Sequence, residues 1–405
     1  MTEFGLLGRK LSHSHSPELH RMLGGYEYAL IEKEPEELCG FFCDRNFKGI
    51  NVTVPYKKAV IPYCDELSPT AAEIGSVNAI VNDGGRLIGY NTDYSGFMKL
   101  IESSGISVDG KKCLVLGNGG VAPTVRAALR DLNASHIVTV TRSGDVNYVN
   151  LGNHYDADII VNATPVGMYP NTGERLIDLS RFHKCTGVFD LIYNPLRTAL
   201  LCDADSLGIP AAGGLFMLAA QAAAAVRLFT GASVSEKELQ DAYGNLLRRV
   251  RNIVLIGMPG CGKTTTGLEL CKLAGMQHID CDTEFEKCCN CTIPEYFARY
   301  GETAFRELET EILVDITKTG GSIISTGGGV ILRPENYRLL HQNGVIVFLD
   351  RSISELPTDG RPLSQAGSLY DMAEKRLPLY RSWCDLTVSG SSAAECATQI
   401  MEALK

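Results

Sequence analysis

The sequence predicts an α/β protein built from parallel-sheet domains in series, and three observations point there. Short Val/Ile/Leu-rich runs alternate with longer helical stretches, the pattern of strand–helix–strand units. Two glycine-rich segments, "VLGNGGVAPTV" and "LIGMPGCGKTTTG", each follow such a run and open a helix, which is where a parallel sheet presents a phosphate-binding loop. At 405 residues the chain has room for two or three domains, each with its own core.

Composition narrows the function class. Apolar residues make up 45% and charged residues 21%, as in an ordinary soluble globular protein. The net charge is -9 and no Lys/Arg run occurs, which argues against nucleic acid or anionic lipid as partner. Small anions stay open, because a pocket needs only a few local cations. The start, "MTEFGLLGRK", has no apolar core of signal-peptide length and no run is long enough to span a membrane, so a cytoplasmic location without membrane contact is expected. Fourteen cysteines show no regular framework and read as reduced thiols. "KCCNC" contains one Cys-x-x-Cys, Cys288 and Cys291, with no second pair at zinc spacing; it reads as a surface turn rather than a metal site.

Along the first half, "SHSHSPELH", "GINVTVPYKKAV", "GSVNAI" and "GYNTDYSGF" precede a run of buried-strand patterns, "KKCLVLG", "HIVTVT", "DIIVNAT" and "GVFDLI", from 111 to 192. Gly117, Gly119 and Ala122 fit G-x-G-x-x-[GA], with Gly120 as an extra small residue, after a strand and before a helix. The next strand ends at Thr141, Arg142 and Ser143, where an NAD site wants an acidic residue; an arginine suits the 2′-phosphate of NADP, and the plain alternative is an exposed loop arginine. Then come "VNATPVGM", "FDLIYNPLRTALL" and the alanine-rich helix "GGLFMLAAQA". Together these segments, over about 1–235, resemble shikimate dehydrogenase.

That resemblance implies an α/β substrate domain at 1–102, an NADP-binding Rossmann domain at 103–212, and C-terminal helices with the connection at 213–249 that pack back on the first domain. It implies that Ser14 and Ser16 bind the substrate carboxylate, and that Thr53, Lys57, Asn78, Asp93, Tyr193 and Gln221 surround the ring. Lys57 and Asp93 would be the catalytic pair, the ammonium giving a proton to the C3 oxygen as hydride arrives. Gly117, Asn118, Gly119, Gly120, Thr141, Arg142, Thr164 and Gly214 would serve NADP(H). Many relatives read Asn-Arg-Thr at the 2′-phosphate loop; only Arg142 is kept here, which leaves a quinate/shikimate dehydrogenase of relaxed cofactor use as the alternative. Without the resemblance, Ser16 before Pro17 is also a good helix N-cap, Lys57 beside Lys58 a solvated pair, and His13, His15 and His20 lack a carboxylate at metal-supporting spacing.

"SVSEKELQDAYGNLLRRV" reads as a helix, and with no Pro/Gly/Ser-rich linker the domain boundary near 245–250 falls at its end. "NIVLIG", "GSIISTGGG" and "VIVFLD" then supply a new sheet. "GMPGCGKT" matches G-x-x-x-x-G-K-[ST] in full, with Gly257, Gly262, Lys263 and Thr264. Backbone N–H groups in such a loop turn inward on phosphate oxygens, the lysine reaches the β/γ-phosphates and the threonine hydroxyl holds Mg²⁺. "HIDCDTEFE", "GETAFRELE", "STGGGV", "GRPL" and "KRLPLYR" follow, and in that order the set resembles shikimate kinase over nearly all of 250–390.

This second resemblance implies a P-loop, nucleoside-monophosphate-kinase-like α/β domain at 250–405. Gly260, Cys261, Gly262, Lys263, Thr264 and Thr265 would hold ATP, with Thr264 and, through water, Asp280 on Mg²⁺. Asp282 would bind shikimate hydroxyls and take the proton of the attacking one. Arg306 and Arg376 would clamp the carboxylate, supported by backbone at Gly327, Gly328 and Gly329, since two guanidinium forks suit a carboxylate. Arg361 would act from a mobile lid on the transferring phosphoryl group, although "RSISELPTDGRPL" is short and lacks the extra arginine many relatives carry. Joined, the resemblances imply a bifunctional enzyme that reduces 3-dehydroshikimate to shikimate with NADPH and phosphorylates shikimate with ATP. A rival of another class makes one half an inactive scaffold, but Lys57, Asp93, Lys263, Asp282, Arg306 and Arg376 are all present.

Overall fold

The computed structural model describes residues 3–11, 14–356 and 369–404. The chain falls into two units, Met1–Leu247 and Arg248–Lys405.

The first unit opens with a mixed six-stranded sheet. Its strands are β1 (Phe4–Gly8), β2 (Ala29–Glu32), β3 (Gly49–Val52), β4 (Glu66–Leu67), β5 (Ala79–Asp83) and β6 (Arg86–Tyr90), in the order β2-β1-β3-β5-β6-β4. Helices α1 (Ser16–Gly24), α2 (Leu38–Asp44) and α3 (Pro69–Ile74) lie between them. Helix α4 (Thr92–Ser104) leads into a second sheet made of β7 (Lys112–Leu116), β8 (His136–Val140), β9 (Ile159–Asn162), β10 (Gly187–Asp190) and β11 (Ala211–Gly213). All five strands are parallel, in the order β11-β10-β9-β7-β8, with α5 (Ala122–Asp131) after β7 and α6 (Ala199–Ser206) after β10. The chain leaves β7 toward β8 and returns to its other side at β9, so the carboxyl end of β7 is a topological switch point.

Two helices follow, α7 (Gly214–Thr230) and α8 (Glu236–Val250), the second ending three residues past the boundary at Leu247. Helix α7 packs on α1 and α4 and so returns to the first sheet. Phe229 near its end stacks on Phe4, with ring centroids 5.6 Å apart. Gly96 lets α4 and α7 approach closely: a Cβ there would stand 2.9 Å from the Met217 carbonyl oxygen. Helix α1 begins one residue earlier than its sequence suggests. Ser16 is the first helical residue rather than the cap, and its N–H is taken by the Ser14 hydroxyl at 3.2 Å.

The second unit is one parallel sheet with the order β13-β14-β12-β15-β16. Its strands are β12 (Asn252–Ile256), β13 (Gln277–Asp280), β14 (Ser322–Ser325), β15 (Gly344–Leu349) and β16 (Leu386–Val388). The helices are α9 (Lys263–Ala274), α10 (Cys281–Cys289), α11 (Ile293–Ile316), α12 (Pro334–His341), α13 (Leu369–Trp383) and α14 (Ala393–Ala403). Helix α11 kinks at Gly301, where φ is 80° and ψ 178°. Every residue of β12, β14 and β15 is buried, as expected of strands covered on both faces, whereas edge strands β13 and β16 are partly exposed. Among the described residues no helix is long and apolar enough to cross a membrane.

One buried group makes the first unit acid-sensitive. His20 on α1 is 1% exposed and stacks on Tyr28 at 3.9 Å, with Nδ1 2.6 Å from the Tyr26 hydroxyl. Burial lowers its pKa to about 3, against a smaller opposing effect of Asn51. The folded chain therefore refuses a proton that the unfolded chain accepts below the ordinary value of 6.5. Stability present above that value is lost as pH falls, by up to about 1.4 kcal/mol per pH unit. Asp190, raised to about 6, contributes in the opposite sense over the same range, so the test is the difference. In urea titrations between pH 7 and 4 the wild type should lose stability relative to His20→Phe as pH falls. Equal slopes would mean that His20 is not held neutral.

Candidate active sites

In the first unit the site grows from the start of α4. Asn91 caps that helix: its Oδ1 accepts from Tyr94 N at 3.1 Å. Its Nδ2 donates to the Ser76 carbonyl at 2.9 Å and to Thr124 Oγ1 on α5 at 3.4 Å. The cap thus ties the first sheet's connection to the helix behind the glycine-rich loop. Asp93 follows in the first helical turn, where the helix end favours a negative charge. Lys57 Nζ donates to Asp93 Oδ2 at 2.7 Å, with the two side chains 17% and 4% exposed. Asn78 sits beside them, accepting from Thr92 N at 2.5 Å and donating to Thr92 Oγ1 at 3.0 Å. One turn on, the Cβ position of Gly96 is 3.1 Å from Cβ of Gln221.

A second group forms around His15, whose ring meets Tyr193 edge-on at 6.1 Å and stands between Ser14 and Ser16 in the chain. Burial raises the Tyr193 phenol. Thr53, just past β3, hydrogen-bonds through its backbone only among the described residues. Asn91 and Thr92 were not singled out by sequence reasoning, although Asn-Thr-Asp before a helix is an N-terminal signal that could have found the cap.

The nucleotide loop leaves β7 at the switch point. Gly117 has φ 96°, and a Cβ there would stand 2.4 Å from Cγ2 of Thr164, so only glycine fits. Asn118, Gly119 and Gly120 are exposed ahead of α5, with Asn118 accepting from Arg126 at 2.9 Å. After β8, Thr141 N bonds back to the Val146 carbonyl at 3.1 Å, and Asn150 closes the same loop on the Asp145 carbonyl at 2.7 Å. Arg142 is exposed on that closed loop and pairs with no acid among the described residues. A guanidinium so presented fits a phosphate. Thr164 turns its hydroxyl to Asn162 Oδ1 at 2.7 Å, and Gly214 N donates to the Ile192 carbonyl at 2.9 Å.

In the second unit the phosphate loop spans β12 to α9. Lys263 is 8% exposed and its ammonium rests on the loop carbonyls of Gly257 (2.9 Å) and Met258 (3.1 Å). Gly260 and Gly262 both have positive φ, Cys261 between them is buried, and Thr265 points outward. Thr264 Oγ1 donates to Asp280 Oδ2 at 2.7 Å, while Asp280 Oδ1 caps α10 by accepting from Asp282 N and Thr283 N, each 3.1 Å. A hydroxyl and one carboxylate oxygen at the loop mouth fit Mg²⁺. No cluster of three or more His, Cys, Asp or Glu among the described residues suits a metal, so the ion would take the rest of its shell from water and phosphate.

Opposite the loop, cations and carboxylates converge on Gly327–Gly329. Arg306 (8% exposed) donates to Glu309 Oε2 at 2.8 Å, and its buried Nε has no hydrogen-bond partner among the described residues. A Cβ on Gly329 would stand 2.1 Å from Arg306 Nη2, so the loop lies flat on the guanidinium. Arg376 Nη1 and the Tyr380 hydroxyl both donate to the Gly328 carbonyl, the former at 3.1 Å. The Cβ position of Gly327 is 2.9 Å from Glu309 Oε1 and 3.2 Å from Asp282 Oδ1. Burial raises the Glu309 carboxyl, with Arg306 pulling it down. Glu309 and Tyr380 are further members of this site that sequence reasoning passed over. Arg361 lies outside the described residues. In "KCCNC" the thiols in contact are Cys289 and Cys291, at 3.4 Å, and not the Cys288–Cys291 pair of the motif.

Residues 6–80 match the family model of the shikimate dehydrogenase substrate binding domain. The chain is 34% identical over 267 residues to the shikimate dehydrogenase (NADP(+)) of Clostridium perfringens, covering 61% of this chain and 98% of that protein. The chain belongs to the shikimate dehydrogenase family. Its first unit carries that likeness. A further such enzyme, from Dehalococcoides mccartyi, is 38% identical over 258 residues, with 56% of this chain and 90% of that one covered. Among solved structures, a chorismate mutase/shikimate 5-dehydrogenase fusion from Clostridium acetobutylicum matches with a TM-score of 0.58 and 35% identity over 60% of this chain and 97% of its own. Shikimate 5-dehydrogenase from Thermus thermophilus in complex with NADP(H) and shikimate matches at 0.56 and 32% over 60% and 99%. Residues 259–405 match the family model of shikimate kinase, so a kinase-type unit follows the dehydrogenase unit in one chain.

The Arg306–Glu309 pair should dominate the stability of the kinase unit's site. Its side chains are 10% and 6% exposed, and removing Glu309 leaves the buried guanidinium with only the half-exposed Glu302, 3.5 Å away, as an acidic partner. Glu309→Ala should cost about 3–5 kcal/mol, read as a lower denaturation midpoint of the kinase unit with the dehydrogenase unit unmoved. A midpoint unchanged in both would mean the guanidinium is solvated without its partner.

Proposed function

We propose that the chain carries out two consecutive reactions. The first unit reduces 3-dehydroshikimate to shikimate with NADPH, and the second phosphorylates the 3-hydroxyl of shikimate with ATP. What carries this reading is one arrangement that occurs in both units: a largely buried cation held on a carboxylate near a nucleotide loop, Lys57 on Asp93 and Arg306 on Glu309. Bound NADPH supplies the hydride, and ATP with Mg²⁺ the phosphoryl group.

In the dehydrogenase unit Lys57 gives its proton to the substrate's C3 oxygen, and Asp93 keeps the ammonium aimed and accepts from the neighbouring hydroxyl. Ser14 and Ser16 hold the ring carboxylate, while Asn78, Tyr193 and Gln221 fix the ring's face. Arg142, exposed and without an acidic partner among the described residues, supports NADP over NAD. In the kinase unit the unpartnered Nε of Arg306, with Arg376, takes the carboxylate of shikimate. Asp282, whose Oδ1 lies by the Cβ position of Gly327 together with Glu309 Oε1, receives the proton of the attacking hydroxyl. The oxygen that gains a proton from Lys57 in the first reaction is the one that loses it to Asp282 in the second.

Both activities should be measurable on the purified chain, each with its own substrates. Lys57→Ala should cut dehydrogenase kcat by ~10²–10⁴-fold, the usual worth of a positioned acid, and leave kinase turnover near wild type. A variant that keeps most of its dehydrogenase rate would remove Lys57 from the mechanism.

Arg142→Ala should raise KM for NADP much more than KM for NAD, because only the former carries the 2′-phosphate. An equal loss with both cofactors would show that Arg142 holds the loop instead.

A further inference from the structure

One fully buried carboxylate joins the two ligand sites of the dehydrogenase unit, and nothing in the proposed chemistry uses it. Asp190 ends β10 with 0% exposure. Asn162 Nδ2 donates to both of its oxygens at 3.1 Å, Ile192 N donates to Oδ1 at 3.1 Å, and the Thr198 hydroxyl donates to Oδ2 at 2.6 Å. From β9, from the loop after β10 and from α6, the groups facing it are thus an amide, a backbone N–H and a hydroxyl, all neutral donors. Among the described residues no cation pairs with it. Burial accordingly pushes its carboxyl up to about 6, against the pull of Thr198, Asn162 and Ile192. A carboxylate is the side chain of this size that accepts on both oxygens and donates from neither.

Each donor leads to a ligand site. Asn162 turns its carbonyl oxygen to Thr164, accepting from N at 3.0 Å and Oγ1 at 2.7 Å, and Thr164 Cγ2 fills the space beside Gly117 of the nucleotide loop. Ile192 precedes Tyr193, and its carbonyl accepts from Gly214 N at the head of α7, the helix that carries Gln221. Thr198 caps α6. We infer that Asp190 is a positioning residue that sets the nucleotide loop and the ring-binding segment together, through the acceptor pattern of its carboxylate. The inference rests on the dehydrogenase reading above.

An asparagine at this position brings an NH₂ group up to the Asn162 NH₂ group. Thr198 can rotate its hydroxyl to comply. Asn162 Nδ2 also donates to the Val166 carbonyl at 3.2 Å, and Asn162 can turn its oxygen to the new amide only by flipping, which withdraws the acceptor from Thr164 and the donor from Val166. In the full-length chain, Asp190→Asn should therefore raise KM for NADP and for shikimate in the dehydrogenase direction, each roughly tenfold, with kinase kcat/KM unchanged. Adding Asn162→Asp replaces the opposing donor by an acceptor and keeps both bonds to Thr164 but loses the bond to the Val166 carbonyl, so the double variant should recover both KM values only in part. In the wild type both should climb together as pH falls through about 6, and Thr198→Val, which removes a donor favouring the charged form, should move that climb to higher pH. If Asp190→Asn does not fold, the wild-type and Thr198→Val pH profiles carry the test. Lower thermal stability with both KM values unchanged, a change confined to one ligand, or identical pH profiles would overturn the inference. Calorimetry with NADP⁺ alone separates the two levels: a wild type that does not bind it defeats the dehydrogenase reading, not the role of Asp190.

Discussion

A strand buried on both faces can offer its backbone to a ligand only where it ends, and both units are organised by that constraint. Strands β7 and β12 are flanked on both sides by parallel neighbours and are almost wholly buried. The loops that leave their carboxyl ends are the first backbone free to turn N–H groups toward a phosphate. In one the crowding falls on Gly117 against Thr164, and in the other on Gly328 against Pro259 of the phosphate loop. Everything else in each site is placed by what packs round that opening.

The charges near these openings follow one physical rule with two outcomes. Where a buried group meets a partner of opposite sign, the partner offsets part of the cost of burial, as Arg306 does for Glu309. Where it meets only neutral groups, its titration moves toward the uncharged form. Asp190 is drawn upward and His20 downward for this reason, and neither touches a reacting group in the proposed scheme. The first kind of pair offers a cation fixed in direction and partly dry. The second kind orders backbone segments, which is a role of geometry rather than of charge transfer.

Joining a dehydrogenase-type unit and a kinase-type unit in one chain asks little of either fold. The first unit has two sheets and the second one, and each unit has its own nucleotide-loop strand and its own ion pair. In the proposed scheme the chemistry is complementary at a single oxygen, protonated by a lysine in one unit and deprotonated by a carboxylate in the other. That relation comes from the residues at each site.

The sequence by itself determined the class of both folds and the places of both phosphate loops. Hydrophobic runs such as "KKCLVLG", "NIVLIG" and "VIVFLD" are strands because a parallel strand covered on both faces must be apolar throughout. Edge strands β13 and β16, and the short β4, were not legible, since one open face lets polar residues interrupt the pattern. Only the tertiary structure decided which polar residues act together. Asn91 and Thr124 are 33 positions apart and Asn162 and Asp190 28, so no local periodicity links them. Glu309 and Arg306 share a helix turn, yet a surface salt bridge has the same spacing, and their significance appears only when burial and the Gly329 backbone are seen to close over them. A motif fixes what a residue can do chemically; desolvation, which depends on every element packed around it, fixes what that chemistry is worth.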